Sequence, residues 1–233
     1  MRGDRTRVAR RSFLSSLGAG ATAFGAGIVP AQAQSASADA AGGWHPARHA
    51  EDDWFDQVSA QHRFFFDTTT PEALGQAIFF ANNYFTANRT GYELADRDLA
   101  VVLCVRHKST PFAYSDAMWA KYGAPIAERS GFNDPKTKQP PAANLYQAGG
   151  YGRSLPNNGV TLDAMIKRGV RLAVCQMSTR GYAAAIAEST GGKADDVYKE
   201  LADHLVPNSH LVPAGIVAVN RAQERGYSLA YVG

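Results

Sequence analysis

The chain has 233 residues, 45% hydrophobic and 19% charged, which is the composition of an ordinary globular protein with enough apolar material for a sizeable core. Its formal charge of +3 is carried by the first residues: five arginines and one aspartate precede residue 12, and the rest holds 19 basic and 20 acidic residues. A remainder of about −1 with no basic stripe gives no sign of a nucleic-acid or acidic-lipid surface.

Residues 7–34, RVARRSFLSSLGAGATAFGAGIVPAQAQ, begin with the pair Arg10 and Arg11 before Ser12, Phe13 and Leu14. A weakly apolar Gly/Ala-rich stretch follows to about Val29 and closes with Pro30 and small residues, the three parts of a secretory signal. The paired arginines before SFL resemble the twin-arginine export signal, so a periplasmic protein cleaved after Ala33 is expected. An uncleaved anchor is the alternative, although so glycine-rich a segment is marginal as a spanning helix. The membrane is then met only through this segment during export, and two cysteines in an oxidising compartment can pair.

Residues 34–59 read as a flexible, Ala/Ser/Gly-rich lead-in containing one short helix at EDDWFDQV, and residues 60–233 as the folded domain. HRFFFDTT, residues 62–69, is a compact aromatic strand. Thr70 is placed to cap, and Pro71 to start, a helix running to about Asn88. DLAVVLCV, residues 98–105, is a continuous β-branched run of the kind buried on both faces of a parallel sheet. A helix is expected over residues 115–123, capped by Ser115 and closed by Gly123. Residues 124–159, rich in Pro, Gly and Asn, read as a long excursion with at most a short strand near residues 144–146. A capped helix then ends at Gly169, and VRLAVC, residues 170–175, is a second buried strand. Helices over residues 178–188 and 193–204 follow, then GIVAVNRAQERG with Gly226 as its stop, and the strand YSLAYV. Repeated β-α alternation implies an α/β fold: a single, mostly parallel sheet flanked by helices on both faces.

Ligands of open parallel sheets sit outside the carboxyl ends of the strands, and two such ends are chemically furnished. One strand delivers Cys104, then Arg106 and His107. The other delivers Cys175, then Gln176, Ser178, Thr179 and Arg180 at a helix start. A thiol at a helix N-terminus beside an arginine or imidazolium is favoured as thiolate, the nucleophilic form. A cysteine closing a buried strand is equally read as a small hydrophobe, and a Cys104–Cys175 disulfide requires adjacent strands in a suitable register. The sequence leaves these three readings of Cys175 open.

No set of ligands has zinc-like spacing: Cys104 and His107 are an odd step apart on a strand, and His45 and His49 lie in the lead-in. Haem attachment, Walker, dinucleotide and G-x-S-x-G signatures are absent, so no cofactor and no metal is expected.

Three segments, LAVVLCVRHKSTPFAYSDAMWAKYG, GVRLAVCQMSTRG and LVPAGIVAVNRAQERGYSLAYV, together resemble the DsrE/DsrF-like family, and its exported branch in particular, over roughly residues 44–232. The resemblance implies homo-oligomers, trimers or hexamers, and a sulfur relay that passes a persulfide through a strand-end cysteine a few residues before an Arg-Gly pair. Cys175 with Arg180 and Gly181 is the match, at a shorter spacing than in the relay subunits. On this reading Cys175, His107 and Arg180 are catalytic, with His107 as base or orienter and Arg180 or Arg106 stabilising the anion. Arg106, Gln176 and Ser178 bind a small sulfur species or other small-molecule ligand. The alternative is a non-catalytic ligand-binding or oligomeric structural protein of the same fold.

Overall fold

A computed structural model describes residues 45–147 and 149–233; the segment read as an export signal and residues 34–44 of the lead-in lie outside the described residues. Five strands, β1 (His62–Thr68), β2 (Leu99–Val105), β3 (Arg171–Cys175), β4 (Ser209–Val212) and β5 (Ser228–Val232), form one sheet in the order β4-β3-β2-β1-β5. All four pairings are parallel. The helices are α1 (Pro71–Tyr92), α2 (Asp116–Ser130), α3 (Leu162–Lys167), α4 (Gln176–Thr190), α5 (Ala194–Asp203) and α6 (Gly215–Gln223).

The alternation of β2 divides the core. Val101, Leu103 and Val105 pack with residues of α1 to α5 on one face, among them Ile78, Trp119, Met165, Tyr182 and Leu201. Ala100, Val102 and Cys104 point to the other face, which is covered by Ala218, Val219 and Ala222 of α6. Trp54 and Phe55 complete that second layer. They belong to a 3-10 helix, Ala50–Asp56, so the short helix of the lead-in is docked on the sheet, and Pro46–Gly233 form one compact unit.

Thr70 caps α1 as its position implies, accepting the Ala73 amide, with Pro71 at the first helical position. Several boundaries differ from the sequence expectation. α1 continues to Tyr92. α2 runs through Gly123 to Ser130, bending at Tyr122, and stops at Gly131, whose φ of 72° is the left-handed cap. Gly123 serves close packing instead, since a Cβ there would collide with the Pro141 carbonyl. Residues 144–146 form a turn where a short strand was expected. β4 was not anticipated: it is a four-residue edge strand with one buried side chain, Val212. Among the described residues no helix is long and apolar enough to cross a membrane.

Candidate functional site

The connections leaving β3 and β4 depart to opposite faces of the sheet. β3 passes directly into α4 on the larger core, and β4 passes through Ala214 into α6 on the smaller one. Diverging connections open a crevice at the carboxyl ends of the strands. Here it is a cleft of about 370 Å³ bordered by Arg106, His107, Arg129, Cys175 and Ser178, with Gly215 and its neighbours as the floor of the α6 side.

Cys175 is the last residue of β3 and the N-cap of α4 at once. Its Sγ accepts the Ser178 amide N–H at 3.4 Å, taking the place a serine or aspartate oxygen would occupy. Its carbonyl accepts the Thr179 hydroxyl at 3.0 Å. The residue is 7% exposed, so the sulfur is held by the backbone and still borders the cleft. The helix start presents partial positive charge at the sulfur.

Cys104 sits in a different environment. It is fully buried, its thiol lies 3.7 Å from the Gly215 carbonyl, and burial, reinforced by the Asp67 carboxylate, pushes its thiol well above the ordinary range. It therefore stays protonated and packed. The register sets Cys104 opposite Ala173 and Cys175 opposite Val212, and both thiols are free among the described residues.

The turn after β2 is fixed by buried hydroxyls. Thr68 donates to the Cys104 carbonyl at 2.7 Å, and the Ser109 hydroxyl accepts the Arg106 amide at 3.0 Å. His107 then adopts a left-handed φ of 54°, uncommon outside glycine, with an exposed ring at the cleft edge. The Ser178 hydroxyl donates to the His107 carbonyl at 3.1 Å. Arg106 is committed to Asp67 through two parallel bonds of 2.8 Å each, which hold its guanidinium charged. Its methylenes run against Gly215, where a Cβ would lie 2.7 Å from Arg106 Cδ.

The structure brings together four of the six residues singled out in the sequence: Cys175, His107, Arg106 and Ser178. Arg180 and Gln176 face elsewhere. The Arg180 guanidinium stacks on Tyr198 at 4.1 Å and lies 3.8 Å from Asp195, while Gln176 donates to the Tyr198 hydroxyl at 2.7 Å. Both therefore serve the α4–α5 contact, and neither lines the cleft. The cleft is lined instead by a further arginine that the sequence does not single out, Arg129 in the last turn of α2.

No group of three or more His, Cys, Asp or Glu side chains is placed to hold a metal ion among the described residues. Comparison with protein-family models, curated proteins and solved structures gives no match for this chain.

Proposed function

We propose that this chain is an exported sulfur-handling protein in which Cys175 accepts a sulfane sulfur and holds it as a persulfide. The observation that carries this reading is the position of Cys175 Sγ, at the cleft and on the first amide groups of α4. In the loading step the Cys175 sulfur attacks the terminal sulfur of a sulfane donor. A new S–S bond forms, the donor's own S–S bond breaks, and the donor leaves one sulfur shorter with the electron pair. His107 takes the thiol proton at the cleft edge. The resulting persulfide anion sits where the Ser178 amide is aimed. A second thiolate, supplied by an acceptor, removes the outer sulfur by the same exchange. The resemblance to the DsrE/DsrF-like family and the twin-arginine form of the leader support the reading, which takes the protein to be a periplasmic homo-oligomer. The exposed Met177 and Ile216 beside the cleft supply apolar surface for an acceptor or a neighbouring copy.

Intact-mass measurement after polysulfide treatment tests the reading. Wild type and Cys104→Ser gain about 32 Da per added sulfur, and Cys175→Ser gains none. A protein that folds normally and acquires no adduct favours the second reading, a ligand-binding fold in which the mostly buried Cys175 is only packed.

A further inference from the structure

Arg129 reaches the cleft through a notch in α4. A Cβ at Gly181 would lie 2.6 Å from Arg129 Nη2 and 3.5 Å from its Cζ, so a side chain at 181 would displace the guanidinium from this position across the helix. Glycine in a helix interior is unfavourable relative to alanine, so its presence there in α4 needs a reason, and the close approach supplies one. Beneath the guanidinium is the ring of Tyr182, 5.1 Å from Arg129 Cζ, which sets the plane of the fork. Arg106 has its charge answered by Asp67, whereas Arg129 has no ion pair among the described residues. The lining contains no carboxylate, and the cleft is bordered by the first residues of α6 as well as the start of α4. One exposed guanidinium without an ion pair, no acidic side chain and a cysteine sulfur share this cleft, a set that suits an anion with oxygens at one end and sulfur at the other.

We infer that the cleft takes a small sulfur oxyanion, and that Arg129, admitted by Gly181, is the residue that selects it. This rests on Cys175 being the sulfur acceptor proposed above. The guanidinium holds the oxygen end by paired hydrogen bonds, leaving the outer sulfur toward Cys175 Sγ. With thiosulfate, Cys175 thiolate attacks the outer sulfur, the new S–S bond forms, the thiosulfate S–S bond breaks and sulfite departs with the electron pair. The sums of atoms and charge are equal on the two sides.

Calorimetry on the Cys175→Ser background, with thiosulfate as the probe at low ionic strength, separates recognition from chemistry. Thiosulfate binds this parent. Adding Arg129→Gln weakens binding about tenfold or more, Arg129→Lys recovers part of it because charge is kept and the fork is lost, and Gly181→Ala weakens it by displacing the guanidinium. Lys199→Gln, which removes a distant surface charge, leaves it unchanged. Absence of thiosulfate binding in the parent, or equal affinity with and without Arg129, overturns the inference. Thiosulfate binding that depends on Arg129 in a protein whose Cys175 never gains sulfur sustains the anion site and overturns the persulfide reading alone.

Discussion

The Ser178 hydroxyl donates to the His107 carbonyl at 3.1 Å, and this bond ties the first turn of α4 to the loop that leaves β2. Two strand ends thus share one rigid edge, with Cys175 on one side of it and His107 on the other. Ser178→Ala removes the tie at a cost of about 1 kcal/mol. Amide exchange at residues 107–109 rises in that variant, while exchange in the interior of β2 does not.

His107 is separable from its backbone role. Asparagine tolerates the left-handed conformation that His107 adopts, so His107→Asn keeps the loop and removes the imidazole. Stability changes little, and the rate of sulfur loading at neutral pH falls by about a hundredfold, as expected when a proton acceptor is lost. Stopped-flow loading followed by acid quench and mass measurement reads both the rate and the end point.

The Asp67–Arg106 pair is mostly buried and anchors the floor of the cleft. Asp67→Asn leaves the guanidinium without its counter-charge and destabilises the fold by roughly 3 kcal/mol in urea unfolding. Gly215→Ala acts on the same element from the other side, because the new methyl group meets Arg106 Cδ and Cys104 Sγ.

Acid weakens the fold in two steps. Burial, with the Arg171 charge, lowers the His210 pKa below its ordinary 6.5 while its ring stacks on Trp54 at 4.3 Å. Stability from that neutral ring is fully present above pH 6.5 and is lost as pH falls through the lower folded value. Asp96, chiefly through the hydrogen bond from Arg168, and Glu200, chiefly through that from Lys121, are held below the ordinary carboxylate range. Their contribution is present above about pH 4 and is lost below it. The urea midpoint followed against pH shows both steps. His210→Phe, which keeps the stack, removes the upper step, and Arg168→Gln reduces the lower one.

The sheet was legible because buried parallel strands are continuous apolar runs, as in Leu99–Val105, and because Thr70 and Pro71 carry the chemistry of a helix start. β4 was not: an edge strand of four residues buries only Val212 and leaves no apolar run to read. Gly123 looked like a helix stop, but its role is contact with Pro141, which no local pattern records. In the cleft, Cys175, Arg106, His107 and Ser178 follow from strand ends and could be read directly. Arg180 was placed there by proximity in sequence, yet it lies four residues from Gln176, so both share the helix face turned toward Tyr198. Arg129 arrives by the packing of α2 against α4, and its one trace in the sequence is a glycine inside a helix.

The most direct test of the central claim is the sulfur carried by the protein isolated from the cells that make it, released by cyanide and located by peptide mass. A persulfide at Cys175, and none at Cys104, is the predicted result. Protein that carries no sulfane sulfur, or carries it at Cys104, contradicts the account.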